Sequence, residues 1–139
     1  MILLDTNVMF EPLRNTPDQR VIAWLDAQPL ETLFLCAVTV AELRFGVACL
    51  PAGRRRNGLI EQLESQVLPS FVGRVLDFGL ATTQHYAEAM AKAQARGLTV
   101  NLADGFIAAV AAVSGMTVAT RDTQSFVAMG LSAINPWKD

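Results

Sequence analysis

The chain has 139 residues, of which 52 % are hydrophobic and 17 % charged, with a formal net charge of −2. That length and apolar content fit one compact domain over residues 1–139 and exclude a disordered, solvating chain. The acidic balance excludes nucleic-acid binding through bulk positive charge, so any such activity must use metal ions or a local basic patch.

The first apolar run, 2–4, reads as a strand that ends at once on Asp5, followed by Thr6 and Asn7. That is how a central parallel strand delivers a carboxylate to a sheet edge, where ligands bind in open α/β sheets. Pro12 and Pro17 punctuate the next segment, and Pro17 suits the first turn of a helix reaching about Ala27. Residues 32–37 read as a second strand. Thr39 starts a helix in which Val40, Leu43, Val47 and Leu50 recur at three and four residues, and Pro51 and Gly53 end it. A helical segment over 58–68 carries Leu59, Leu63 and Val67, and 75–78 is a third strand. A long helix over 81–96 stops at Gly97 as a C-terminal cap. An apolar helix over 102–113 turns at Ser114 and Gly115 into a fourth strand over 116–120. A short helix follows Asp122, and Ala133 and Ile134 form an edge strand. Strands alternate with helices, so the expected fold is α/β, a mostly parallel sheet with helices on both faces.

The apolar start of the chain is too short for a secretory signal and meets an acid at position 5. No segment has the length of a membrane span, not even the Ala-rich 106–113. The expected location is the cytoplasm, with no membrane association. Cys36 and Cys49 lie in apolar surroundings without metal-ligand spacing and are expected as buried, reduced thiols.

Four acids share one kind of setting. Asp5 and Asp122 follow strands, Glu42 lies in the first turn of the helix after the second strand, and Asp104 lies in the first turn of the helix before the fourth. Each also fits a structural role. Thr39 to Glu42 has capping-box spacing, Asn101 to Asp104 has the same spacing, and Asp122 suits an N-cap. Asp5 could hold its own turn through Asn7. Capping does not require two strands to end on acids, however. Two carboxylates 4 Å apart repel by roughly 4 kcal/mol at an effective dielectric of 20. A cluster therefore keeps a proton or takes up a divalent ion. Oxygen donors without thiolate or histidine favour Mg²⁺ or Mn²⁺, and the chemistry such a site supports is metal-assisted hydrolysis of a phosphodiester.

MILLDTNV, TVAELRFG, ADGFIAAVA and VATRD, in this order and spacing, resemble the PIN-domain ribonucleases, and within them the VapC/FitB type of toxin in bacterial type II toxin–antitoxin pairs. The resemblance covers nearly the whole chain. It implies a PIN-like fold and Mg²⁺- or Mn²⁺-dependent endonucleolytic cleavage of RNA. It implies that Asp5, Glu42, Asp104 and Asp122 are catalytic and bind the metal, with Thr6, Asn7 and Thr120 beside them orienting acids or metal waters. It also implies a homodimer and a cognate antitoxin that carries a DNA-binding domain, in a complex that extends to a larger hetero-oligomer.

Other residues invite a role. Arg54, Arg55 and Arg56 form the densest basic run, placed in a Gly-flanked turn, and fit either phosphate contact, with Arg44 and Arg74 as helpers, or a solvated helix start. Arg121 adjoins Asp122 and fits either an ion pair or substrate approach. His85, the only histidine, has no motif partner and reads as structural. Phe45 falls off the apolar stripe and fits either the core or a partner groove with Met9 and Phe10. Trp137 reads as an anchor for the C-terminus.

Two rivals to the nuclease reading stand. A phosphatase of the haloacid-dehalogenase kind also opens on a strand ending in aspartate, but it needs a second aspartate two residues on. Asn7 stands there, and Lys92 and Lys138 are the only lysines. The second rival is a weakly catalytic or non-catalytic partner and corepressor in a DNA-bound toxin–antitoxin complex.

Overall fold

The structure is a computed structural model and describes residues 1–138. Five strands form one sheet in the order β3-β2-β1-β4-β5. They are β1 (Ile2–Leu4), β2 (Leu33–Cys36), β3 (Val75–Leu76), β4 (Thr117–Ala119) and β5 (Ala133–Ile134). Every pairing is parallel, with Leu3 beside both Phe34 and Val118. The chain lays down β1, moves outward to β2 and β3, then returns across the sheet to β4 and β5. The order therefore reverses between β1 and β4, and ligands of such sheets bind at that crevice.

Among the described residues seven α-helices cover the sheet: α1 (Thr6–Phe10), α2 (Gln19–Ala27), α3 (Ala37–Ala48), α4 (Arg54–Gln62), α5 (Leu80–Ala95), α6 (Leu102–Ser114) and α7 (Thr123–Ala128). Alternation along β1 divides the core between the two faces. Leu4 faces a cluster with Val8, Val21, Leu35, Leu43, Val47 and Phe71. Leu3 faces a second cluster with Val118 of β4, Ala89 and Ala93 of α5, Ile107 and Val110 of α6 and Phe126 of α7. Both faces are buried, which is why the strands read as continuous apolar runs rather than as alternating ones. No helix among the described residues is long and apolar enough to cross a membrane.

Several local expectations shift. Pro17 lies before the N-cap of α2 rather than inside its first turn; Asp18 is the cap and accepts the Arg20 N–H at 2.9 Å. The 58–68 segment is not one helix. It begins earlier, at Arg54, widens into a π turn at Leu63–Val67 and then tightens into a 3₁₀ turn at Leu68–Phe71, where Pro69 cannot donate a helical hydrogen bond. The arginine run is thus the first turn of α4 rather than a free turn, and Arg55 is held by Asn15 Oδ1 and the Leu13 carbonyl. Cys36 is buried as expected, but Cys49 is exposed because it caps the end of α3. Phe45 is 71 % exposed and does not join the core. Trp137 is buried against the β1–β2 face and does anchor the C-terminal segment.

The helix after β2 starts two residues before Thr39, because the chain passes from strand into helix without a loop. The cap is Cys36, whose Sγ accepts the Val38 N–H at 3.4 Å. Thr39 and Glu42 consequently form no capping box, and Glu42 lies in the second turn of α3. This frees both side chains for contacts outside their own helix.

Candidate active site

Asp5 ends β1 at the reversal point and is 2 % exposed. Its N–H donates to the Ala119 carbonyl at 2.9 Å, which locks β1 to β4 at that level. Its carboxylate accepts three hydrogen bonds: from the Thr6 N–H at 2.7 Å, Asn7 Nδ2 at 3.1 Å and Thr120 Oγ1 at 2.8 Å. Thr120 is wholly buried and accepts the Asp122 N–H at 3.0 Å, so one hydroxyl links the two strand ends. Asn7 Oδ1 in turn accepts the Arg121 N–H at 3.3 Å.

Glu42 reaches this group from α3. Thr6 Oγ1 donates to Glu42 Oε1 at 2.5 Å and lies 3.4 Å from the buried Thr39 Oγ1. Thr39 is a residue whose part in the site sequence reasoning missed. Its capping pattern pointed to the backbone, whereas its side chain supports Thr6. Asp104 sits at the third position of α6, where Asn101 caps the helix by accepting the Asp104 N–H at 2.8 Å and donates Nδ2 to Asp104 Oδ2 at 3.1 Å. Asp122 caps α7, accepting the Ser125 N–H at 3.2 Å and the Ser125 hydroxyl at 2.6 Å. The Asn101–Asp104 pairing follows the capping spacing read from the sequence, whereas Ser125 was missed as a carboxylate partner, and a D-x-x-S spacing is the signal that would have found it.

The electrostatics tie the four acids into one neighbourhood. Burial pushes the Asp5 carboxyl up from 3.8 to about 6, against the hydrogen bonds from Thr120 and Thr6, while the charges of Asp104 and Glu42 push the same way as burial. Burial also raises Asp104, joined by the charges of Asp122 and Glu42 and opposed by Asn101. Desolvation disfavours the charged form of each carboxyl, and like charges add to that. Perturbed carboxyls gathered in a crevice are a signature of functional sites.

The donor set is all oxygen, which suits a hard divalent cation. Among the described residues, however, no three acidic side chains gather closely enough to form a ready-made coordination sphere. Each carboxylate is drawn toward a local donor: Glu42 to Thr6, Asp104 to Asn101, Asp122 to Ser125. The set fits an ion that keeps several waters and takes only one or two direct carboxylate ligands, which is the habit of Mg²⁺.

The model of the PIN domain family matches residues 2–130. The chain is a PIN-domain protein. Among its relatives, the plasmid stability protein StbB of Pseudomonas syringae pv. tomato is 56 % identical over 138 residues, covering 99 % of each chain. The VapC ribonuclease Y4jK of Sinorhizobium fredii is 54 % identical over 138 residues, again 99 % of each. Toxin FitB of Neisseria gonorrhoeae is 51 % identical over the full length of both chains. Among solved structures, FitAcB from Neisseria gonorrhoeae superposes with a TM-score of 0.95 at 50 % identity over all of both chains. FitAB bound to an IR36 DNA fragment gives 0.96 at 50 % identity, over 100 % of this chain and 97 % of the other. The PIN fold and the VapC/FitB likeness expected from the four sequence blocks are therefore found.

Proposed function

We propose that this PIN-domain protein is a divalent-metal-dependent endoribonuclease and the toxin of a type II toxin–antitoxin pair. The observation that carries the reading is Asp5, a carboxylate buried at the point where strand order reverses, its pKa raised by burial and by two neighbouring acids. The names of the relatives, a VapC ribonuclease and a toxin FitB, support the substrate class and the role.

In this reading Asp5, Glu42, Asp104 and Asp122 hold Mg²⁺ or Mn²⁺. A bound ion of this kind supplies a more acidic water and neutralises charge on the scissile phosphate. The protein's own residues do the positioning. Thr120 and Asn7 fix the Asp5 carboxylate, Thr6 fixes Glu42, and Asn101 and Ser125 fix the outer two acids. Water is the nucleophile, and no side chain forms a covalent intermediate. The protein acts in the cytoplasm, where its RNA substrate is, as a homodimer held by a DNA-binding antitoxin in a larger assembly. Exposed apolar side chains such as Phe45, Val72 and Leu80 give it surface for such contacts. The solved complex of FitAB with DNA supports the antitoxin part of this reading.

A second reading is favoured by one feature. Each of the four carboxylates already has a protein donor, and among the described residues no three close on a common point. On that basis the chain serves chiefly as a partner subunit in a DNA-bound complex. Cleavage of an RNA panel with Mn²⁺, with EDTA, and by Asp5→Asn separates the two. The nuclease reading expects metal-dependent cuts that Asp5→Asn abolishes. Equal traces in all three lanes leave the partner role.

A further inference from the structure

The cations of this acidic chain are not evenly spread. Arg20 from α2, Arg121 just after β4 and Lys138 near the C-terminus line one groove of about 310 Å³, with Asn135 and Trp137 completing its wall. Arg121 connects the groove to the acidic site, since it stands between Thr120 and Asp122 and its N–H is held by Asn7 Oδ1. Asn135 builds the far side. Its Oδ1 accepts the Trp137 N–H at 2.9 Å and its carbonyl accepts the Lys138 N–H at 3.0 Å.

Two of the three cations are held in position without being used up. The Arg121 guanidinium lies 5.0 Å from the centre of the Trp137 ring. Stacking engages the face of a guanidinium and leaves its edge N–H groups free for an oxyanion fork. Arg20 is gripped by Asp18, through Nε at 3.1 Å and Nη2 at 2.7 Å, and Asp18 is itself tied by its N–H to the buried Glu11. Arg20 Nη1 keeps no protein partner among the described residues. Among the described residues, Arg20 is the one groove cation in an ion pair, with Asp18, and Arg121 and Lys138 form none. Like charges gathered this way repel unless an anion lies between them.

We propose that this groove is a subsite for the phosphate backbone of single-stranded RNA beside the bond that is cut, with Arg121 and Lys138 as its main phosphate ligands and Arg20 as the third. The assignment rests on the ribonuclease reading. Arg121 lies between Thr120, which holds Asp5, and Asp122, so the groove it lines adjoins the carboxylates in the chain. Acids and cations then divide the work, the acids at the reacting phosphate and the cations at its neighbours.

The test is binding of a labelled single-stranded RNA of about 12 nucleotides in EDTA, across a range of salt. Arg121→Gln and Lys138→Gln are each expected to weaken binding about 3- to 10-fold at roughly 0.1 M salt and to flatten the log–log salt slope by about 0.7 per lost contact. Lys138→Arg, which keeps the charge, is expected to bind as the unaltered protein does. Unchanged affinity and slope in both Gln variants overturn the proposal. So does loss of antitoxin binding with RNA binding intact, which would give the groove to an acidic protein segment. Cleavage by the unaltered protein in Mn²⁺ is scored separately. Groove-dependent binding without cleavage removes the nuclease reading, and with it the placement beside a cut bond, and leaves the groove as an RNA-binding site alone. Cleavage with binding indifferent to both substitutions removes the subsite alone.

Discussion

Replacing Asp5 by Asn separates a charge held for function from one held for structure. The carboxyl goes from 3.8 in the unfolded chain to about 6 in the metal-free fold, mainly by burial. A raised folded value means that the native state holds its proton longer than the unfolded state. Stability from this group is therefore complete below pH 3.8 and is lost as pH rises through about 6. Moving the carboxyl from 3.8 to about 6 corresponds to roughly 3 kcal/mol. Asn carries no such penalty, but its amide meets the Asn7 Nδ2 donor, an offset of about 1–3 kcal/mol that does not depend on pH. Urea unfolding in EDTA, at steps from about pH 4 to 7.5, isolates the titrating part. The stability of Asp5→Asn relative to the unaltered protein is expected to rise by roughly 2–3 kcal/mol across that range. Adding Mn²⁺ at about pH 7.5 should then restore stability to the unaltered protein only, by about 2.7 kcal/mol at a hundredfold excess over Kd. A relative stability that stays flat with pH, or falls as pH rises, refutes the picture of a costly buried charge awaiting a cation.

Three further substitutions probe the surroundings. Glu42→Gln keeps an oxygen for the Thr6 hydroxyl and touches no helix cap, so stability should stay within about 0.5 kcal/mol, while Mn²⁺ affinity by calorimetry falls at least tenfold or so. Asn101→Ala removes the cap of α6 and one support of Asp104, with an expected loss of about 1 kcal/mol in urea unfolding and weaker Mn²⁺ uptake. Gly105→Ala places a Cβ 2.6 Å from Met90 Sδ and 2.8 Å from Tyr86 Cε2 where α5 and α6 pack, and should cost about 1–3 kcal/mol by the same assay.

The sequence alone determined the alternation of strands and helices and the parallel sheet, because apolar runs of strand length, separated by helical periodicity, admit few other folds. It also determined that Asp5 and Asp122 end strands, since each stands within two or three residues of a run that cannot be anything but buried. Helix starts were less legible. Thr39 to Glu42 carries a sound capping pattern, yet α3 begins earlier because β2 runs directly into it and a cysteine thiol takes the cap. A local pattern states what a segment can do, and the tertiary connection selects among the options. Only the folded chain decided that Thr120 binds Asp5 across 115 positions and that Thr6 reaches Glu42. Only it brought Arg20, Arg121 and Lys138 to one groove. These pairings depend on the order of strands in the sheet, and strand order is set by which apolar faces bury together rather than by any neighbouring pair of residues.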